Sequence, residues 1–160
     1  MIYILTGDIE TGKSKALLQW AHGRSDVHGI LSPRNENNER YFLNINTKKS
    51  FRMLANSEDE DPISIGRYHF LKSAFEKANA IIKKSVEKNQ SGYIVIDELG
   101  KLEVNSEGLY ESAKLAINKA LNHPNFHSIL VVRTALLSGI VKKYKIGDVV
   151  YFDSKQIPIM

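Results

Sequence analysis

The chain contains no cysteine. That excludes disulfides, Cys-ligated zinc, iron–sulfur clusters and thiol nucleophiles, so any chemistry has to come from carboxylates, lysine, arginine or a bound metal. Long apolar runs are missing too. The N-terminal one, Ile2-Tyr3-Ile4-Leu5, stops after four residues, and no run approaches the roughly 20 residues that a membrane span needs. The expectation is a cytoplasmic protein with no signal peptide and no membrane partner. There is also no internal repeat, low-complexity tract or domain-sized linker. The five histidines, His22, His28, His69, His123 and His127, are read as surface or core residues.

What is present is ordinary globular material. With 160 residues, 42% hydrophobic and 25% charged, the chain can bury one core, and 1–160 is expected to be a single domain. A formal charge of +4 and a pI near 9.2 invite a nucleic-acid reading. Distribution speaks against it: lysines such as Lys72, Lys83, Lys88, Lys114 and Lys119 fall on outer helix faces without interleaved aromatics. Nucleic acid is therefore not the expected partner, and a mild basic excess equally attracts a nucleotide polyanion.

Residues Gly7-Asp8-Ile9-Glu10-Thr11-Gly12-Lys13-Ser14 complete a G-x-x-x-x-G-K-[ST] phosphate-binding loop, directly after an apolar run and before a helix-like segment. Gly7 and Gly12 let the backbone wrap a polyphosphate, so that consecutive N–H groups and the positive end of the next helix face the anion. Lys13 reaches the outer phosphates, and the Ser14 hydroxyl is a ligand for Mg2+. A second signal stands at Tyr93-Ile94-Val95-Ile96-Asp97-Glu98. Its continuous apolar run suits a parallel strand buried on both faces, and ligands gather at the carboxyl ends of such strands. Asp97 is the expected metal-side acid, opposite Ser14. Glu98, on the other side of the strand end, is placed to orient or deprotonate an attacking water.

The remaining pattern alternates strands and helices. A first helix carries Ala16, Leu17, Trp20 and Ala21; a strand is expected over Val27 to Arg34. Segments from Arg40 to Asn46 and from Ser50 to Leu54 read as an inserted antiparallel hairpin or meander. The acidic segment 57–62 reads as an exposed loop. Long helices follow over Tyr68 to Lys88 and around Leu109 to Leu121, with strands at Ser128 to Val132 and Val149 to Phe152 flanking a short helix from Ala135 to Lys143. Such alternation predicts an α/β fold: a three-layer, mostly parallel sheet with right-handed crossovers.

At this point the chain resembles the THEP-type nucleoside-triphosphatases, a family of small P-loop NTPases. The resemblance covers nearly the whole length. It rests on the loop at 7–14, on Gly29 to Arg34 followed by Arg40, on Gly66-Arg67-Tyr68, and above all on Asp97-Glu98-Leu99-Gly100-Lys101-Leu102-Glu103. It implies a RecA-like core and slow Mg2+-dependent hydrolysis of several nucleoside triphosphates, ATP and GTP among them, to diphosphate and phosphate. It also implies that the loop residues and the Asp97 to Gly100 segment contact the nucleotide. The chain departs from the typical pattern around Ser32-Pro33-Arg34 and at Arg133.

Arg34, Arg67 and Arg133 are the arginines available to stabilise charge on the transferring phosphoryl group, with Arg34 and Arg67 preferred. Lys101 and Glu103 are as readily a structural pair as catalytic groups. Asp97 to Gly100 also fits a GTPase D-x-x-G pattern, but Asn118-Lys119-Ala120-Leu121 lacks the aspartate of a guanine-reading N-K-x-D. A small-molecule or nucleotide kinase shares the loop and acid but needs an acceptor pocket and usually an arginine-rich lid. A nucleotide-dependent binding or assembly module is the third reading, and the protein partner it would serve is not identified by the residues.

Overall fold

The computed structural model describes residues 1–8, 12–55, 63–65 and 68–157. In chain order the elements are β1 (Ile2–Gly7), α1 (Lys13–Ala21), β2 (Val27–Leu31), β3 (Tyr41–Asn44), β4 (Ser50–Arg52), β5 (Ile63–Ile65) and β6 (Tyr68–Phe70). There follow α2 (Lys72–Lys88), β7 (Gly92–Leu99), α3 (Lys101–Val104), α4 (Tyr110–Asn122), β8 (Phe126–Arg133), α5 (Leu137–Tyr144) and β9 (Val150–Phe152). Seven strands form one sheet in the order β4-β3-β2-β7-β8-β1-β9. The five from β2 to β9 in that order run parallel, and β3 and β4 extend the edge antiparallel. The expected α/β architecture with its inserted hairpin is the observed one. A separate two-stranded ribbon, β5–β6, stands apart from the sheet.

Period-2 alternation sorts the apolar residues onto two faces. Ile94 and Ile96 of β7, with Leu130 and Val132 of β8 and Ile2 and Ile4 of β1, face a core shared with Ala78 and Ile82 of α2 and Ala116 and Ile117 of α4. Val95, Ile129, Val131 and Leu5 face the opposite side, where Leu17 and Ala21 of α1 cover them. Both faces of the central strands are therefore dry. That is why they read as continuous apolar runs rather than alternating ones.

Three boundaries differ from expectation, each for a local reason. The helix expected from Tyr68 begins at Lys72, because Phe70 pairs with Ile63 and bridges Leu54 while the Leu71 N–H donates to Met53 O at 2.8 Å. Backbone groups committed to strands cannot close helical turns. Strand β2 stops at Leu31, and Arg34 instead forms an isolated antiparallel bridge with Arg40, closing the turn in which the Asn35 side chain accepts from the N–H groups of Asn37 and Glu39. Strand β7 runs on through Asp97 to Leu99, so the two acids belong to its last rungs. The acidic segment 57–62 lies outside the described residues. Lys119 is not a solvated face residue: its ammonium donates to Val86 O and Asn89 O at the end of α2 and lies 4.9 Å over the Phe126 ring.

Close approach of β2 to β7 depends on Gly29. Its φ is +106°, and a Cβ there would lie 2.2 Å from Val95 O. Substitution must both strain the backbone and push the strands apart, costs of about 1–3 kcal/mol each. Gly29→Ala should therefore lower the urea midpoint by the equivalent of roughly 2–5 kcal/mol; an unchanged midpoint would show that the two strands separate at no cost.

Candidate functional site

Helix α1 starts at Gly12, whose φ of 78° and ψ of 21° are left-handed, a conformation glycine adopts without a Cβ penalty. Among the described residues no side chain caps this end. The first-turn N–H groups and the positive end of the helix dipole are left for an anion. Lys13 is buried, with its Nζ donating to Asp8 O at 2.7 Å and Gly7 O at 3.2 Å. Burial lowers its pKa, while the nearby Glu98 and Asp97 charges oppose that shift. Of the remaining loop residues, Ile9, Glu10 and Thr11 fall outside the described residues.

Although β8 stands between the loop strand and β7, Asp97 still reaches the loop's helix. Its Oδ2 accepts the Ser14 hydroxyl and, at 2.9 Å, the Ser32 N–H, so one carboxylate ties α1, β7 and the chain after β2 together. Its Oδ1 is buried and has no hydrogen-bond partner among the described residues. Burial first, and then the Glu98 charge, push this carboxyl up to about 6, against the Ser14 and Ser32 hydrogen bonds. A hydroxyl beside a carboxylate with one open oxygen fits a hard divalent cation, and Mg2+ characteristically takes only one or two protein oxygens plus phosphates. No cluster of three or more His, Cys, Asp or Glu side chains suited to a metal exists among the described residues. His123 and His127, four apart in sequence, lie on different elements: His123 follows α4, and His127 packs in β8 against Tyr93 and Tyr3.

Glu98 turns the other way. The register of β7 against β8 shifts between Asp97 and Leu99, and the Glu98 carboxylate lies between two guanidiniums, 3.1 Å from Arg40 Nη1 and 3.5 Å from Arg133 Nε. Its side chain is 8% exposed. Arg40 carries no local signature of this role in the sequence, because nothing marks an arginine 58 positions from its partner. Arg34 is exposed, and its guanidinium donates to Asn38 O at 2.9 Å rather than to either acid. Gly66 and Arg67 lie outside the described residues. Gly100, expected to contact nucleotide, already donates its N–H to Glu103 Oε1 at 2.6 Å.

Glu103 is not paired with Lys101. It is buried, and its second oxygen accepts the Leu109 N–H at 2.8 Å, so it clamps the turn around α3. Burial pushes this carboxyl up to about 7 despite both donors. Arg34, Arg40, Arg133, Glu98 and Gly100 also line a cavity of about 470 Å3, with Phe42, Phe70 and Phe75 on its apolar side.

A family model described as NTPase matches residues 2–156. The chain belongs to the THEP-type NTPase family. It is similar in structure to THEP1 from the hyperthermophile Aquifex aeolicus, at 17% identity and a TM-score of 0.69, over 96% of this chain and 89% of that one. A human cancer-related nucleoside triphosphatase is similar at 17% identity and a TM-score of 0.66, over 98% and 93% of the two chains. No curated protein matches the sequence. Among the described residues no helix is long and apolar enough to cross a membrane.

Glu103→Gln replaces an oxygen that accepts a backbone N–H with an amide donor, leaving a buried mismatch that costs about 1–3 kcal/mol. Because the wild-type carboxyl has its folded pKa raised, its protonated form favours the fold: the benefit is fullest near pH 4.5 and is lost as pH rises through about 7. The stability gap between wild type and Glu103→Gln, from urea unfolding, should thus shrink between pH 5 and pH 8. A gap that widens with pH would show that the ionised form is the one the fold prefers.

Proposed function

We propose that this member of the family hydrolyses nucleoside triphosphates to diphosphate and phosphate, with Mg2+ and with broad tolerance of the base. The observation that carries this reading is the joint placement of Ser14, Asp97 and Glu98. A phosphate loop and its metal-side acid are in contact, and a second carboxylate stands one residue on, directed away from the first. Bound Mg2+ would be held by Ser14 and Asp97 and would neutralise charge shared by the outer phosphates.

The chain's own groups supply the rest. First-turn amides of α1 and the Lys13 ammonium bind the phosphates, with Lys13 exchanging its carbonyl contacts for phosphate oxygens. Glu98 orients a water and takes its proton as the water oxygen bonds to the terminal phosphorus and the bond to the bridging oxygen breaks. Arg40 and Arg133 fix the Glu98 carboxylate and bring bidentate-capable cations to the side where charge develops. Arg34 keeps the role expected from the sequence only if loop movement carries it to the phosphates, and Arg67, outside the described residues, keeps that role as part of this proposal. Base tolerance is supported by Asn118 and Lys119 lying within α4, where Lys119 is engaged with the end of α2. The cytoplasm, where triphosphates and Mg2+ are abundant, is the compartment this reading favours.

Phosphate release measured with ATP, GTP, CTP and UTP should show turnover of all four, dependent on Mg2+. Lys13→Ala should lose binding and turnover together in a folded protein. Asp97→Asn should raise the Mg2+ requirement and weaken both binding and turnover. Glu98→Gln should still bind triphosphate but turn over some 10²- to 10⁴-fold more slowly, the usual worth of a general base. Wild-type hydrolysis by Glu98→Gln would move the catalytic role elsewhere.

Arg40→Lys should slow turnover more than it weakens triphosphate binding, because an ammonium cannot hold Glu98 and face phosphate with the same planar fork. Single-turnover rates set against equilibrium binding separate the two. An equal loss in both would make Arg40 a binding residue only.

A further inference from the structure

Hydrolysis needs only water beside Glu98, yet the structure provides far more room there. The cavity of about 470 Å3 falls in the roughly 300–1,000 Å3 range of sites that take whole small-molecule ligands. Ser14 and Asp97 mark the β,γ end of a triphosphate on the loop. Glu98 is at once next to Asp97 and part of the cavity wall, so the cavity opens beyond the terminal phosphate rather than under the base.

Its lining is divided by chemistry. Arg34, Arg40 and Arg133 supply three guanidiniums, the groups that best match phosphate oxygens. Phe42, Phe75 and Phe70 form a continuous aromatic wall, with ring centroids 5.1 Å and 5.6 Å apart in edge-to-face pairs. Of the buried polar atoms in the lining, Ser32 Oγ has no hydrogen-bond partner among the described residues, and Arg133 Nε meets Glu98 only through a 3.5 Å ion pair. Such atoms cost free energy unless something else satisfies them.

We propose that this cavity binds a second substrate, a ring-bearing monophosphate of the nucleoside monophosphate class, placed to accept the terminal phosphoryl group of the triphosphate. The inference rests on the triphosphate occupying the loop as proposed above. Guanidiniums hold the acceptor's phosphate, and the phenylalanine wall takes its ring. An acceptor phosphate oxygen forms the new bond to the terminal phosphorus as the bond to the bridging oxygen breaks. The electron pair leaves with the diphosphate, so triphosphate plus monophosphate gives two diphosphates, with no oxidant or net proton source required. Water attack is the same displacement when the cavity is empty.

The test titrates AMP, GMP, CMP and UMP, the matching nucleosides, and inorganic phosphate into protein saturated with Mg2+ and a non-hydrolysable triphosphate analogue. Diphosphate formation from labelled monophosphate and triphosphate is measured in parallel. At least one monophosphate should bind one-to-one, tenfold or more tighter than its nucleoside or phosphate alone, and be converted to diphosphate. Leu54→Trp, which fills the cavity from its half-buried wall, should weaken that binding at least tenfold. Lys101→Glu, an exposed change at the lining, should weaken it several-fold with the chain still folded. Leu54→Trp should hydrolyse triphosphate alone as wild type does. Absence of monophosphate binding to the loaded protein, competition with the triphosphate analogue, binding indifferent to both variants, or binding without transfer each overturns the proposal. Hydrolysis intact with no monophosphate bound removes this inference alone, whereas no triphosphate bound at the loop removes the reading beneath it.

Discussion

One buried carboxylate holds the site together. Asp97 accepts from Ser14 on α1 and from the Ser32 N–H after β2 while standing on β7, so three segments distant in sequence meet on one oxygen of one side chain. A fully buried carboxylate is expensive unless it is paired or hydrogen-bonded. Here the second oxygen lacks a partner among the described residues and the carboxyl is pushed up to about 6. The fold is therefore arranged around a charge that it only half satisfies. A cation at this position would relieve both the open oxygen and the mutual repulsion with Glu98, which links metal affinity to the local stability of the sheet's carboxyl edge.

Geometry upstream of that carboxylate is a matter of sheet packing. Asp97 is aimed because Ile94 and Ile96 are locked toward α2 and α4, and Val95 toward α1. A slip of one residue would exchange these faces and turn the acid into the core. The close contact of Gly29 with Val95 removes the slack that would permit such a slip. Core packing and site placement are thus one constraint, imposed by the period of the strand.

How much of this was legible in the sequence follows from the range of each signal. The loop at 7–14, the strand before it and the helix after it are local, and so is the apolar run that ends in Asp97; these were readable, as was the α/β alternation. Helix α3 was not, because four residues show no period. The start of α2 is not legible either, since Tyr68 to Phe70 fits a helical face and a strand equally, and only the bridge to Leu54 decides. Glu103 looked like a partner for the neighbouring lysine, whereas its oxygens are taken by backbone N–H groups of Gly100 and Leu109. The meeting of Arg40 and Arg133 on Glu98 depends on strand order and on a register shift in β7, neither of which sequence spacing encodes.

The two neighbouring acids consequently belong to different halves of the molecule. Asp97 is tied to the parallel core through α1 and the end of β2, whereas Glu98 is tied through Arg40 to the turn that leads into the antiparallel edge, and through Arg133 to the end of β8. Phe42 of β3 and Phe70 of β6 belong to that same inserted region and wall the cavity beside Glu98. Without the insertion, the carboxyl edge of the parallel strands would offer a phosphate loop and a metal-side acid facing open water. With it, that edge borders an arginine-lined cavity, where charge is less screened and fixed dipoles act more strongly. In the proposed reaction, the parallel core supplies binding and the antiparallel edge decides what can reach the phosphorus.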